Sequence, residues 1–572
     1  MDKLVVTSRV KSISTTHAVN KISELHLRGA ADVSASDLQL MLTNCRKLTK
    51  LAVGIPSRLH ELKFDAIRQP LPLLTLYLDG NYQIENATVV SLVDRCPHLQ
   101  ALHANDCAKL TPDVVCAAAK NCPELQEIYF NWGQRIYDTK KLSYDLLTET
   151  ADDPDSCYCE LFRSCTKLKV VDLFRRSYGR GNIVTPVDVL TLAQHCTHLT
   201  HVKLSSTRSL CRQRDTTDLL DSALVQLVQC NPHIECLILQ GFNILTNVAL
   251  DAIADNLTEL QTFILDCCGS GCSDRREGYR RIRNSCRKLT TFEVDHLPSL
   301  VSGPPGVLQT LRLHRIDSYG KLNDEMLVRV AQHNYEARLF QYRHCGDGVV
   351  TNTGLCVALS HWHNLRTFIV IGDYGFDFSR PANLANVVSK APVVDDSVLY
   401  AVIQNCPFLT TLDISGNTHL SNEAIGTVAK LVHLKHFTAN MCKLMEDSAL
   451  VAIALGCRDL IYFAVDDCQI SDAGIRSLAL YGSHKLRHIS INSCRQLHNS
   501  SIQELIRASR KLQFLSLVFN KHITFEAVSE LPLYCPYMEQ LCIGWMRRSL
   551  NWAYGKHKHY FDAILPNRKF LV

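Results

Sequence analysis

Paired cysteines are the residues of this chain whose type and spacing point most directly to chemistry. In the stretch CRDLIYFAVDDCQISDAGI, Cys457 and Cys468 stand eleven residues apart around an apolar segment. Two thiolates can hold zinc, and two thiols can close a disulfide. The same pair recurs as Cys96 and Cys107 in CPHLQALHANDCAKLTPDVV. The pattern is therefore a repeated unit and not a single site.

The register of the cysteines decides between chemistry and packing. Apolar anchors of the form L-x-x-L-x-L recur every 25 or 26 residues in the regular parts of the chain, which is a leucine-rich-repeat period. The nineteen anchors are Ile22, Leu48, Leu73, Leu99, Leu125, Leu168, Leu199, Ile234, Leu260, Leu289, Leu308, Ala337, Leu365, Leu409, Leu434, Leu460, Leu486, Leu512 and Met538. Fifteen of the 25 cysteines lie three residues before or eight residues after an anchor. We expect these cysteines to be reduced, metal-free packing positions.

Each unit predicts a short strand, a turn and then a helix. The segment LIYFAV at 460–465 has the composition of a strand, and Ile475, Leu478 and Ala479 follow at the spacing of one helical face. Hydroxyl residues precede the helical runs, where they can cap the first free N–H groups. The predicted N-caps include Thr111, Ser421 and Ser471. The sequence thus predicts an α/β leucine-rich-repeat solenoid, or horseshoe, with parallel strands on the concave face and helices on the convex face.

The unit resembles the cysteine-containing subfamily of leucine-rich repeats, whose motif is C-x-x-L-x-x-L-x-L-x-x-C/N-x-x-I-T/S-D. The segment from Cys457 to Ile475 fits this motif nearly position for position. The best-known proteins with such repeats are the F-box/leucine-rich-repeat proteins. The resemblance implies that a solenoid captures substrate while an N-terminal F-box docks the Skp adaptor of a cullin ubiquitin ligase. We expect no F-box here, because the first anchor is already at Ile22 and no LP…E…I helix set is recognisable.

The breaks in the repeat suggest how the chain is organised. We expect one solenoid over residues 1–543, with insertions near 131–160 and 371–396 that emerge as loops, and a C-terminal cap over 544–572. Hydrophobic residues make up 46% and charged residues 20% of the chain, which is globular usage. No signal peptide or long apolar segment is recognisable. These features predict an intracellular protein, cytoplasmic or nuclear.

Catalytic groupings are not visible in the sequence. His103, His201, His436 and His488 fall on predicted strands, but none has an adjacent nucleophile and an orienting carboxylate. No phosphate-binding loop and no matched Cys/His pairs at zinc-finger spacing occur. Five arginines within 275–283 leave two interpretations open, a patch for an acidic partner or a solvated helix face. We therefore expect no enzyme activity, no cofactor and no metal site.

Protein binding is the function that remains. Alternation along the strands predicts outward-facing contact residues in the regular C-terminal repeats, and aromatic residues on the second insertion predict a loop that helps to hold the partner. The candidate contacts are Tyr374, Phe376, Phe378, Asp413, Ser415, His436, Tyr462, Asp466, His488, Asn492 and Phe514. Two roles stay open: substrate recognition in SCF-type ubiquitin-dependent degradation, with a cullin ligase reached through an adaptor, or a scaffold or regulatory subunit of a larger assembly such as the cytoskeleton. The net charge of +5 gives no strong signal for nucleic acid or membrane.

Overall fold

The computed structural model divides the chain into two compact units. Unit 1 comprises residues 1–294 and 302–304, and unit 2 comprises 295–301 and 305–572. The structure describes residues 3–6, 22–27, 42–53, 69–81, 84–107, 109–131, 156–174, 184–206, 214–242, 245–266, 275–294, 296–313, 322–343, 350–371, 394–538, 540–543 and 570–571.

Unit 1 is a ladder of parallel strands whose connections are mostly helical. Each strand pairs in parallel with the next one along the chain. Its described strands are β1 (Lys3–Val6), β2 (Glu24–Leu27), β3 (Lys50–Val53), β4 (Thr75–Tyr77), β5 (Ala101–Ala104), β6 (Glu127–Phe130), β7 (Val170–Leu173), β8 (His201–Ser205), β9 (Cys236–Gln240), β10 (Thr262–Asp266) and β11 (Thr291–Glu293). Its described α-helices are α1 (Asn86–Val93), α2 (Asp113–Asn121), α3 (Cys157–Ser164), α4 (Pro186–His195), α5 (Arg214–Cys230), α6 (Asn247–Asn256) and α7 (Arg276–Ser285).

Unit 2 repeats the same alternation, again with parallel pairing between successive strands. Its described strands are β12 (Thr310–Leu313), β13 (Leu339–Arg343), β14 (Thr367–Ile371), β15 (Thr411–Asp413), β16 (His436–Thr438), β17 (Tyr462–Ala464), β18 (His488–Ser490), β19 (Phe514–Ser516), β20 (Gln540–Cys542) and β21 (Phe570–Leu571). Its described α-helices are α8 (Asp324–His333), α9 (Asn352–Leu359), α10 (Asp396–Asn405), α11 (Asn422–Gly426), α12 (Asp447–Gly456), α13 (Asp472–Ser477), α14 (Asn499–Ala508) and α15 (Leu531–Tyr534). Shorter turns are the 3-10 helices Leu297–Val301, Thr427–Lys430, Ser483–Lys485 and Phe525–Val528, and the π-helix Leu478–Gly482. Within the described residues, no helix has both the length and the apolar character needed to cross a membrane.

The anchors identified in the sequence mark the strands. Each of the nineteen is buried and stands two residues before the first residue of a strand, as Leu460 stands before Tyr462. The predicted leucine-rich-repeat fold is therefore confirmed. The structure adds two strands that have no predicted anchor, β1 and β21. Strand β21 lies inside the segment expected to be a cap, and it pairs with β20, which precedes that segment. Between Leu289 and Leu308 the short spacing leaves room only for the 3-10 helix Leu297–Val301.

The cysteines of the repeat bond to backbone carbonyls of the preceding repeat. Before an anchor, the Cys457 thiol donates to the Leu431 carbonyl at 3.5 Å. After an anchor, the Cys468 thiol donates to the Ala439 carbonyl at 3.1 Å, and at the same repeat position Asn417 donates through Nδ2 to the Val370 carbonyl at 3.0 Å. Cysteine and asparagine thus satisfy the same kind of buried acceptor. The packing role predicted from the register is confirmed for these residues.

The helix starts link one repeat to the next. Ser421 caps α11 by accepting from the Ala424 N–H at 3.1 Å, and its own N–H donates to the Asp396 carboxylate of the preceding helix at 2.8 Å. Ser471 makes the equivalent bonds in the repeat that contains α13. Thr111 also caps its helix, since the Asp113 N–H donates to its hydroxyl at 3.4 Å, although Thr111 stands one residue further from the helix than Ser421 and Ser471 do. Pro112 occupies the N-cap position of α2 with φ −53° and ψ −16°.

We expect the register cysteines to resist alkylation in the native protein. Burial raises the pKa of Cys457 to about 12, and the thiolate is the nucleophilic form. Brief iodoacetamide treatment followed by peptide mass spectrometry should label the partly exposed Cys230 and Cys356 before Cys457 or Cys468. Elemental analysis should find no stoichiometric zinc. Rapid labelling of the register cysteines, or disulfides among them, would contradict the packing role.

Candidate functional site

Four ring side chains form a row across neighbouring strands of unit 2. His436, Tyr462, His488 and Phe514 are the first residues of β16 to β19, and each is paired with the next in the parallel register. The following residue of each strand is buried in the core, so alternation turns the four rings to the opposite side of the sheet. We call this side the outer face and the four residues the ring row. Four of the predicted contact residues are thus brought together.

The rings of the row lie close enough to contact one another. The centroids of His436 and Tyr462 are 6.2 Å apart, and those of Tyr462 and His488 are 5.8 Å apart. His488 and Phe514 are also separated by 5.8 Å, with an interplanar angle of 24°. Such spacing is typical of offset aromatic pairs. His436 is exposed and the other three are half-buried, so the row presents a continuous ring surface to solvent.

The ring row carries little charge near neutral pH. Burial, with the nearby ammonium of Lys435, lowers the pKa of His436. Burial, followed by His436 and Arg487, lowers the pKa of His488. Lower pKa values favour neutral imidazole, which stacks as an aromatic ring and needs no counter-ion. The row is therefore suited to apolar and π contacts with a partner.

A second set of predicted contacts forms a polar ladder beyond the strands. The Asn440 N–H donates to the Ser415 hydroxyl at 3.2 Å, and the Asp466 N–H donates to Asn440 Oδ1 at 2.8 Å. The Asn492 N–H donates to Asp466 Oδ1 at 2.7 Å, and the Val518 N–H donates to Asn492 Oδ1 at 2.6 Å. Side chains of one repeat thus satisfy backbone groups of the next. Ser415 is fully buried, so the prediction that it faces a partner is wrong, because its hydroxyl is used in this ladder.

Two carboxylates lie beside the ring row. Asp413, on β15, accepts from the Ser415 N–H at 3.0 Å, and Asp466 accepts from the Ser490 hydroxyl at 2.8 Å. Burial raises the pKa of Asp413, and burial also raises that of Asp466 against the opposing effect of its hydrogen bonds. The phenol of Tyr462 has its pKa raised by burial and then by both carboxylates. The ring row therefore has an acidic border.

The loop aromatics fall outside the described residues. Tyr374, Phe376 and Phe378 belong to the segment 372–393, which the structure does not describe. Their predicted position beside the ring row stays a prediction.

Sequence reasoning missed a second ring stack, which lies in unit 1. Tyr77 and His103 stack with centroids 3.9 Å apart, and His103 and Tyr129 stack at 4.1 Å. The Lys50 ammonium lies 4.9 Å from the centre of the Tyr77 ring. Burial, then Lys50, lowers the pKa of His103 to about 4. The signal was present, because the three ring residues follow one another at 26-residue steps on successive strands.

The arginine-rich segment does not offer a free basic patch among its described residues. Arg280 bonds to Glu277 at 2.6 Å within α7, and Arg281 bonds to Asp251 and Asp255 of α6 at 2.8 and 2.6 Å. Arg283 is buried, with its guanidinium 5.9 Å from the centre of the Phe292 ring. Most of this charge is therefore used within unit 1. The described residues also contain no group of three or more His, Cys, Asp or Glu side chains placed to hold a metal ion.

Comparison with known proteins shows similarity to F-box/LRR-repeat proteins over part of the chain. F-box/LRR-repeat protein 4 of Bos taurus is 27% identical over 160 residues, which cover 28% of this chain and 21% of that protein. The F-box/LRR-repeat MAX2 homolog of Oryza sativa subsp. japonica is 31% identical over 119 residues, which cover 20% of this chain and 16% of that protein. The chain therefore spans about a fifth of the length of these curated relatives. The resemblance predicted from the repeat motif is confirmed.

No family model matches the chain. Among solved structures, a chain in the crystal structure of the Rad7 and Elc1 complex in yeast aligns with a TM-score of 0.38 and 14% identity, covering 67% of this chain and 78% of that one.

Proposed function

We propose that this chain is a non-enzymatic recognition protein that binds a protein partner on the outer face of unit 2. The observation that carries the proposal is the ring row of His436, Tyr462, His488 and Phe514, with contacts at 5.8 to 6.2 Å. Aromatic side chains that are rigid and partly exposed are typical energetic centres of protein interfaces. The sheet supplies the rigidity, because each ring stands on a strand paired on both sides.

The similarity to F-box/LRR-repeat proteins supports a more specific role. We propose that the partner is a substrate delivered to an SCF-type ubiquitin ligase, with the cullin reached through an adaptor in the cytoplasm or nucleus. The relatives carry an F-box in their names, and repeats of this kind provide a long surface for capturing another protein. A scaffold role in a larger assembly predicts different co-purifying proteins. Affinity purification followed by mass spectrometry separates the two, since one predicts a cullin with its adaptor and the other predicts cytoskeletal or other structural proteins.

We expect Tyr462→Ala and Phe514→Ala each to weaken partner binding by about 1–3 kcal/mol, the range for a central aromatic contact. Both side chains stand on the outer face, so their removal should leave the stacked core intact. The partner recovered by affinity purification should be titrated against each variant by isothermal titration calorimetry. Circular dichroism melting should show folds close to that of the parent.

The matched control is Tyr481→Ala. Tyr481 is 43% exposed but lies on the π-helix Leu478–Gly482, away from the strands. Its removal should leave binding unchanged. Equal affinity of the parent, Tyr462→Ala and Phe514→Ala for the partner would place the binding surface elsewhere and reject the proposal.

A further inference from the structure

The acidic border of the ring row differs in one respect from the same repeat position in unit 1. Asp172 and Asp413 both stand four residues after an anchor, Leu168 and Leu409. The Asp172 carboxylate is only 3% exposed and pairs with the Lys203 ammonium from the next strand at 2.9 Å. The strand after Asp413 has Thr438 at that position, which has no positive charge. The cation that neutralises the carboxylate in unit 1 is therefore replaced by a neutral side chain beside Asp413.

Asp466, in the polar ladder, also has no cation beside it. Asn440 and Asn492 occupy the equivalent position in the neighbouring repeats, and their Oδ1 atoms accept from the next repeat as Asp466 Oδ1 does. An amide is therefore sufficient for the ladder bond. A carboxylate at this position adds a charge that is costly to bury unless it is paired. Among the described residues, neither Asp413 nor Asp466 has an ion-pair partner within 4.0 Å.

The basic groups nearby are directed elsewhere. The Lys443 ammonium pairs with Asp467, the residue after Asp466. Lys435 and Arg487 immediately precede β16 and β18, and they act on the adjacent rings of His436 and His488. Two small residues, Ala464 and Ser490, stand on β17 and β18 two residues after Tyr462 and His488, and both are buried. This part of the outer face therefore combines partly exposed rings with two carboxylates that have no ion-pair partner among the described residues.

We propose that the partner of the ring row places an arginine or lysine side chain on this part of the outer face, with its cationic group beside Asp413 or Asp466 and its aliphatic stem against Tyr462. This inference rests on the proposed recognition function and specifies the chemistry of the partner. A guanidinium or ammonium group gains from a carboxylate and from an aromatic face at once. Charge complementarity of this kind chooses between partners more than it adds raw affinity.

The proposal is tested by selecting binders from a random library of short linear peptides on three forms of the full chain. The forms are the parent, the double variant Asp413→Asn/Asp466→Asn, and the control Asp459→Asn. Asp459 lies in the same repeat as Asp466 but before β17, where it pairs with Lys485 at 2.5 Å. Peptides selected on the parent and on the control should be enriched in arginine or lysine over the library. Peptides selected on the double variant should lose this enrichment.

One selected peptide then provides a quantitative cycle. Replacing its basic residue by glutamine should weaken binding to the parent by about tenfold or more in fluorescence anisotropy, as expected when a desolvated charge pair loses one member. The same replacement should have little effect on the double variant. Asparagine already occupies the ladder positions on both sides of Asp466, and an amide oxygen at position 413 can still accept from the Ser415 N–H, so the double variant should melt close to the parent. If it does not fold, Asp413→Asn alone serves, because its amide oxygen can still accept from the Ser415 N–H.

The outcomes separate this inference from the proposed function. Selected peptides without basic enrichment, or enrichment that persists on the double variant, overturn the cationic partner while leaving recognition by the ring row in place if those peptides lose affinity for Tyr462→Ala. Selected peptides that bind Tyr462→Ala and Phe514→Ala as well as the parent overturn the proposed function itself. A library that yields no specific peptide on the parent overturns the inference.

Discussion

Replacing Leu460 by aspartate is expected to cost about 4 kcal/mol or more of the free energy of unfolding, the range reserved for an unpaired charge in a core. Leu460 is fully buried, as are the equivalent anchors Leu434 and Leu486 in the repeats on either side. The variant loses the apolar contacts of the leucine and leaves a carboxylate without hydrogen bonds. Because each repeat buries its core against its neighbours, the loss should extend beyond one repeat.

Urea denaturation followed by circular dichroism measures this effect. The matched control is Leu455→Asp, which makes the same chemical change five residues earlier, at a leucine that is 44% exposed near the end of α12. The control should unfold close to the parent. If Leu460→Asp unfolded at the same urea concentration as the control, the repeat register would be wrong.

The second large effect is expected at Gly456, the last residue of α12. A Cβ atom placed there would lie 2.1 Å from the Ala429 carbonyl oxygen and 2.8 Å from the Ala429 Cα. Both are backbone atoms of the preceding repeat, so they cannot move away as a flexible side chain would. Gly456→Val should therefore cost more than about 3 kcal/mol, the upper end of ordinary overpacking, by forcing the two repeats apart.

Gly426→Ala is the control for this prediction, because Gly426 is also the last residue of a helix, α11. A Cβ atom placed at Gly426 would be 3.6 Å from the nearest atom, the Ala449 Cα, which is an ordinary contact. Alanine also favours the helical backbone over glycine by about 0.5–1 kcal/mol. Thermal melting should show Gly426→Ala at or above the parent and Gly456→Val far below it. Similar melting of the two variants would show that the repeats are not packed as closely as the structure indicates.

Alternation along the strands predicts which side chains point outward. It does not predict which of them bond to the next repeat and which remain available to a partner. The same repeating pattern predicts that both Tyr462 and Ser415 face a partner. Tyr462 does stand on the outer face, whereas Ser415 is buried and its hydroxyl accepts from the Asn440 N–H at 3.2 Å. The difference depends on which backbone group of the next repeat approaches each position. That approach is set by the turn after the strand, which the spacing of leucines does not describe.

The sequence by itself determined the repeat, the strand positions and the packing role of the cysteines. The reason is local: a strand and a helix that recur every 25 or 26 residues place Leu460 and its equivalents inward at every step, and small donors such as Cys468 recur where a buried carbonyl needs a partner. These features depend on the spacing of residue types along the chain, which the sequence shows directly.

Only the tertiary structure decided which polar residues are consumed by contacts between repeats and which are left for a partner. Asp172 and Asp413 have the same place in the repeat. Asp172 is paired with Lys203 at 2.9 Å, whereas Asp413 lies opposite Thr438 on the next strand. Likewise, Gly456 meets the Ala429 backbone while Gly426 has room for a methyl group. Each of these outcomes depends on atoms about 25 residues away along the chain, which the stacking of repeats brings within a few ångströms. A local sequence pattern does not specify the distance in space between such atoms.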